Sequence, residues 1–180
     1  MKLRFIMPLV IFLTLAVFLA LGLDKDPQKL PSALINKPLP VFKLTSLEEG
    51  QWITAEQWQG GVALVNIWAT WCAPCRDEHP VLLKIAGQEG IIIYGINYKD
   101  KPELAREWLR QYGSPYRAIV SDTSGKLAID LGVYGVPETF IIDKQGIIRY
   151  KWVGVLTEQA WQQQLKPVIT ELQLESRKEK

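Results

Sequence analysis

Trp71-Cys72-Ala73-Pro74-Cys75 holds both cysteines of this chain, two residues apart, directly behind an apolar run over residues 62–69. Two thiols at that spacing, at the seam between a buried strand and a helix, read as a redox couple. On the first turn of a helix they close a disulfide with little backbone movement. The positive end of the helix dipole favours a thiolate there, so Cys72 is expected to be more acidic than a free thiol, whose pKa is about 8.5. Cys75, one turn further in, is expected to be the more buried and to resolve mixed disulfides. Other uses of the pair fit less well. A structural zinc site takes four ligands, and the chain offers two Cys and one His. Haem attachment through C-x-x-C needs a following His, and Arg76 stands there instead. A purely structural disulfide would suit an exported protein, but so tight a loop constrains little unfolded chain. No metal and no cofactor beyond a Cys72–Cys75 disulfide is therefore expected.

Residues 5–23 form a 19-residue stretch without a charge, preceded by Lys2 and Arg4 and followed by Asp24-Lys25-Asp26. As a helix it would be about 28 Å long, close to the roughly 30 Å hydrocarbon core of a bilayer. Basic residues ahead of it predict a cytoplasmic N-terminus, with everything after it outside. A cleaved signal peptide is the alternative, with Ala20-Leu21-Gly22 as a small-x-small site, but the run is longer than a usual signal core and carries Pro8 early. The reading taken is an uncleaved anchor over residues 1–23.

Residues 24–180 suffice for one domain with a sound core. The whole chain has 21 basic and 19 acidic residues, and setting Lys2 and Arg4 aside leaves the rest formally neutral. No basic excess argues for nucleic acid. Beyond an export anchor, a lone C-x-x-C is placed for reactivity rather than for stapling.

Residues 24–40 are polar with Pro27, Pro31, Pro38 and Pro40, and read as a tether. Residues 41–45 and 51–53 suggest two short strands, and Thr54 a cap for a short helix through Trp58. Residues 62–69 are continuous and branched, as in a strand buried on both faces. A helix follows the cysteines to about Ala86 with Pro80 kinking it. Residues 91–98 form the next strand. Asp100 with Glu103 is a capping pair for a helix closed by Gly113. A strand over 116–121, a short helix over 124–131, strands over 139–143 and 147–153 around Lys144-Gln145-Gly146, and a helix from Thr157 complete the domain, 41–176. Trp161, Leu165, Val168, Ile169 and Leu172 give that last helix one apolar face, and 177–180 is a charged tail. Strands alternating with helices, then a hairpin and a closing helix, make an α/β sandwich. This is a thioredoxin-like order with extra N-terminal strands and a central insert, preceded by one transmembrane helix.

Four stretches carry a resemblance: Asn66-Ile67-Trp68-Ala69-Thr70-Trp71-Cys72, Cys75-Arg76-Asp77-Glu78-His79, Asn97-Tyr98-Lys99-Asp100, and Leu131-Gly132-Val133-Tyr134-Gly135-Val136-Pro137-Glu138-Thr139-Phe140. Together they resemble the membrane-anchored thiol:disulfide interchange proteins of cytochrome c maturation, the CcmG or DsbE type, over essentially the whole chain. The resemblance implies a single-pass protein of the bacterial inner membrane with a periplasmic redox domain. It implies reduction of the disulfide in apocytochrome c, directly or through a partner thiol protein, with electrons from a transmembrane thiol reductant. It matches Cys72 to the attacking thiol, Cys75 to the resolving thiol, Pro137 to the cis-proline facing the disulfide, and Glu78 and Glu138 to acidic residues around the site. A monomer is the simplest expectation.

Each role has a physical side. From sequence alone the Val136–Pro137 bond would be trans, since cis X-Pro is uncommon; the resemblance reverses that. In the cis form the Val136 backbone could pair with an extended client. Glu78 is either a solvated helix residue or a carboxylate that raises a thiol pKa and shuttles a proton, and Glu138 is open to the same two readings. Ordinary thioredoxins carry a buried Asp six residues before the first cysteine; Asn66 stands there and cannot titrate, which leaves Glu78 and Glu138 as candidate bases. Pro74 beside Cys75 resembles reducing thioredoxins. His79 is read as a satisfied surface or helix-face histidine, and Trp71 as an apolar cover over the disulfide that clients touch. A disulfide-forming oxidant, a general extracytoplasmic reductase and an apo-protein-holding module with incidental thiols remain as rivals.

Overall fold

The computed structural model describes residues 3–23, 33–48 and 50–178. It divides into two compact units, one N-terminal and one from Pro31 onward. The N-terminal unit is a 21-residue helix, α1 (Leu3–Leu23), that continues through Pro8. Its described side chains cover residues 6–19, and the large apolar ones among them are exposed. Among the described residues no helix is long and apolar enough to cross a membrane, so the expected transmembrane helix is seen here as a helix only. Of the tether expected over 24–40, residues 24–32 lie outside the described residues. Residues 33–40 belong to the folded domain: Asn36 donates its N–H to Ile148 O, Ile148 to Lys37 O and Leu39 to Gly146 O, while Leu39 is buried.

The second unit is built on a five-stranded sheet in the order β5-β4-β3-β6-β7, with a separate two-stranded hairpin, β1 (Lys43–Thr45) against β2 (Trp52–Thr54). After β2 a 3-10 turn over Ala55–Trp58 starts where Gln57 Oε1 accepts from Thr54 N–H at 2.9 Å. Central strand β3 (Ala63–Trp68) is buried at all six positions, as its unbroken apolar character requires. It runs parallel to β4 (Ile92–Tyr98), which runs parallel to β5 (Ala118–Asp122). On its other side it is antiparallel to β6 (Glu138–Ile142), which pairs with β7 (Ile148–Val153).

Helices α2 (Ala73–Gln88), α3 (Pro102–Tyr112) and α4 (Lys126–Asp130) lie in the connections between strands. The C-terminal helix begins as α5 (Glu158–Ala160), capped by Thr157 Oγ1 on the Ala160 N–H, and becomes α6 (Lys166–Lys178). Between them Trp161–Leu165 is a π turn. Pro167 explains it, because a proline cannot donate to the carbonyl four residues back and crowds it. The tail read as beginning at residue 177 is helical through Lys178.

Alternate residues of β3 serve two cores. Ala63, Val65 and Ile67 pack with Trp58, Tyr94, Phe140, Leu127 and Leu131. On the other face Leu64 packs with Leu82, Ile85, Ile141, Trp161 and Ile169, and Trp68 with Cys72, Cys75 and Leu109. Each fully buried aliphatic side chain contributes about 1.5–3 kcal/mol, and together they fix the end of β3 from which the cysteines project.

Candidate active site

From Trp68 the chain leaves the sheet through Ala69, Thr70 and Trp71, and Cys72 then caps α2. Its Sγ accepts the Cys75 N–H at 3.1 Å, the place where a helix N-terminus offers an unpaired donor. Pro74 fits the first helical turn, where no N–H is missed. Cys72 and Cys75 form a disulfide with Cα atoms 5.3 Å apart. The expected contrast in burial is absent: Cys72 is 5% exposed and Cys75 4%. Cover over Cys72 comes from the Val136 loop, whose carbonyl oxygen lies 3.5 Å from Cys72 Sγ.

Two clamps hold the rim of this site. The first is Asp100. It was expected to cap α3, but Lys101 occupies that position, and the Asp100 carboxylate turns back to the strand end. Its oxygens accept from Thr70 N–H at 2.6 Å, Thr70 Oγ1 at 2.8 Å, Asn97 Nδ2 at 3.0 Å and Lys101 N–H at 2.8 Å. Beside it Lys99 has φ +44°, a region unusual for a side-chain-bearing residue. Its carbonyl accepts from Trp71 Nε1 at 3.0 Å. Trp71 is thus 58% exposed yet held at its edge.

The second clamp surrounds Pro137. The Val136–Pro137 bond is cis. Glu138, next in the chain, is fully buried rather than an exposed carboxylate at a strand start. Its Oε1 accepts from the N–H groups of Tyr134, at 2.8 Å, and Gly135, at 3.4 Å. Its Oε2 forms an ion pair with Lys151 Nζ at 3.0 Å.

Under the disulfide lies a polar cluster. Glu78, one helical turn beyond Cys75, is fully buried, so the solvated reading of this residue is set aside. Glu78 Oε1 accepts from Asn66 Nδ2 and Oε2 from Leu156 N–H, each at 2.8 Å. Asn66 also donates to Thr139 Oγ1 at 3.1 Å and accepts from Tyr116 OH at 2.8 Å. The Tyr116 ring stacks on Trp68 at 5.6 Å. Gly95 leaves room for the pair, since a Cβ there would stand 3.0 Å from the tyrosine ring and 3.1 Å from the indole nitrogen. Burial pushes the Glu78 carboxyl up to about 7, and the bonds from Leu156 and Asn66 only partly oppose it. Burial also raises Tyr116 well above the ordinary tyrosine range, and the Glu78 charge adds to that.

His79 is buried rather than at the surface. It bonds through Nε2 to Gly113 O at 3.1 Å and packs edge-on to Trp108. Burial lowers its pKa against the raising effect of the Gly113 and Tyr112 carbonyls.

Cys72, Cys75, Trp71, Pro74, Val136 and Pro137 therefore meet at one end of the sheet, with Glu78 beneath and Glu138 behind the proline loop. Asp100, Lys151 and Tyr116 complete the arrangement without having been singled out for it. Asp100 could have been found through the Asn97-Tyr98-Lys99-Asp100 stretch. Lys151 and Tyr116 carry no local signal.

A two-cysteine couple at a helix N-terminus, facing a cis-proline on this sheet, defines a thiol:disulfide oxidoreductase of thioredoxin-like fold. The chain belongs to the AhpC/TSA family, whose pattern it matches over residues 35–151, and within it to the DsbE-type thiol:disulfide interchange proteins. It is 51% identical over 168 residues to thiol:disulfide interchange protein DsbE of Pseudomonas aeruginosa, covering 93% of each chain. It is 46% identical over 170 residues to the DsbE of Escherichia coli K12, covering 91% of each. Among solved structures, a Chlorobium tepidum protein with a provisional DsbE designation superposes with a TM-score of 0.67 at 24% identity, covering 80% of this chain and 99% of that one. That likeness speaks to the fold.

Proposed function

We propose that this protein is a membrane-tethered periplasmic reductant that opens the disulfide of apocytochrome c, directly or through a partner thiol protein, before haem attachment. The observation that carries the reading is the Cys72–Cys75 couple set over Glu78, a buried carboxyl poised near neutrality one turn away. In the reduced protein, Cys72 thiolate attacks one sulfur of the client disulfide. A mixed disulfide forms and the other client sulfur leaves as a thiolate that takes up a proton. Cys75 then gives its proton to the Glu78 carboxylate and attacks Cys72 Sγ, and the second client sulfur leaves as a thiolate that takes up a proton as Glu78 gives its own back. The client gains two electrons and two protons, and the protein is left as the Cys72–Cys75 disulfide. A transmembrane thiol reductant returns the electrons by the reverse exchange.

Burial leaves Glu138 paired to Lys151, so its part is to hold the proline loop. The helix over Leu3–Leu23 and its charge-free run support the tether. So does the entry of the chain into the domain beside Ile148, at the sheet end remote from Cys72: Ile148 pairs with Ile142, and Ile142 with Ala63, the first residue of β3.

Cys75→Ser tests the proposal. It should stall exchange as a mixed disulfide on Cys72, and the captured protein should be apocytochrome c or a thiol protein of its maturation. Capture of a broad set of newly exported proteins would overturn it in favour of an oxidant or a general reductase. A Cys72→Ser variant that keeps full function would point instead to a holding module.

A further inference from the structure

The register of β7 against β6 shifts at Arg149, so Lys151 stands opposite Phe140 on the face that Ile148 turns to the core. Its side chain is 2% exposed. Burying a cation is costly unless it is well paired, and every group that pairs this one lies on or beside the loop leading to Pro137. Its Nζ donates to Gly132 O at 2.7 Å and stands 3.0 Å from Glu138 Oε2. The same ammonium sits 4.4 Å from the centre of the Tyr134 ring and 5.4 Å from that of Phe140, its register partner on β6. Glu138 in turn holds the N–H groups of Tyr134 and Gly135. One ammonium and one carboxylate thus grip the loop at Gly132, Tyr134 and Gly135 and anchor it to the start of β6.

What they immobilise faces the solvent and the sulfur. Tyr134 is 70% exposed, yet its ring lies against a buried charge. Two residues on, the Val136 carbonyl stands against Cys72 Sγ. We propose that Lys151 is a positioning residue of the redox site. It pins the loop from Gly132 to Val136 so that the Tyr134 ring and the Val136 backbone meet an extended, disulfide-bearing polypeptide segment already in place. Preorganisation of this kind raises affinity by sparing the entropy of ordering a loop and an aromatic side chain on binding. A small disulfide reagent touches only the sulfur and gains little from it.

The inference rests on the reading that a polypeptide client docks on this face. Its test uses the reduced full chain with two oxidants: a peptide closed by a disulfide between cysteines two residues apart, and a small aromatic disulfide. Lys151→Met should lower the ratio of kcat/KM for the peptide to that for the small reagent by about tenfold, chiefly through KM. Lys151→Arg, which keeps charge and donors, should recover most of it. Should Lys151→Met leave Glu138 too exposed to repulsion to fold, the double variant Glu138→Gln/Lys151→Met removes both charges and should show the same fall in ratio. A folded variant with the wild-type ratio overturns the inference, as does a Lys151→Arg variant no better than Lys151→Met. A wild-type protein inert toward the peptide but active on the small disulfide would instead overturn the client reading beneath it.

Discussion

Glu78 and Asp100 show how much of this site turns on single carboxylates whose roles are opposite. Glu78 is buried with its pKa raised from 4.5 to about 7. The folded chain therefore holds a proton that the unfolded chain releases. The resulting stabilisation is present below 4.5 and is lost as pH rises through about 7, a change of about 3 kcal/mol. His79, whose pKa burial depresses, works in the opposite direction over overlapping pH, so the raw curve conceals the effect. The stability difference between wild type and Glu78→Gln isolates it. Denaturant titrations across the window should show that difference shrinking with pH, and a pH-independent difference would remove Glu78 as the titrating group. Asp100, by contrast, acts as a fixed acceptor for four hydrogen bonds. Asp100→Ala should cost about 2–4 kcal/mol by leaving Thr70 and Asn97 donors unpaired, measured by chemical denaturation, with Asp100→Asn intermediate.

At the scale of elements, the short helix α4 matters through what lies beneath its N-terminal cap. Gly125 caps it with φ +74°, and a Cβ there would stand 2.8 Å from Tyr98 and press on the Lys99 side chain. Those two residues form the turn whose carbonyl holds Trp71. Gly125→Ala is therefore expected to lose about 2–4 kcal/mol, combining the left-handed backbone with overpacking, in a denaturation experiment. A loss below about 1 kcal/mol would mean that the turn yields easily. The N-terminus of α2 is the counterpart on the other side of the site. The position of Cys72 as cap follows from local rules, since Pro74 in the first turn and the end of an apolar strand both place a helix start there. Helix α3 shows where local rules fell short. Asp100 and Glu103 have the spacing of a capping box, yet Pro102 opens the helix two residues later and the carboxylate finds stronger partners across the strand end.

For the whole domain, the segment before β1 does more than lead into it. Residues 36–39 cover the exposed edge of β7 near Ile148, and Ser46 and Leu47 bridge to the opposite edge strand, β5, at Val120 and Ile119. Both edges of the sheet are thereby occupied, which guards against edge-to-edge association. A chain beginning at Pro31 is expected to fold and to exchange its disulfide with a small dithiol. One beginning at Phe42 loses the three backbone bonds that join residues 36–39 to Gly146 and Ile148, and the burial of Leu39. It should be less stable by about 3–5 kcal/mol and prone to association, checked by denaturation and light scattering. Equal stability of the two chains would show that the strap is dispensable.

The sequence by itself determined the redox couple, the strand that presents it, the order of strands and helices, and the proline loop as a second part of the site. The first three rest on spacing, periodicity and turn chemistry, all local along the chain; the proline loop was legible only through the family resemblance of residues 131–140. Only the tertiary structure decided the burial of Glu78 and Glu138, the turn of Asp100 toward Thr70, and the recruitment of Lys151 and Tyr116. Each depends on partners far apart in sequence: Leu156 for Glu78, Lys151 for Glu138, Tyr116 for Asn66. A charged side chain on an alternating strand reads as solvated until the fold supplies the group that compensates it, because burial and pairing are properties of the packed neighbourhood and leave no mark on the residues alongside.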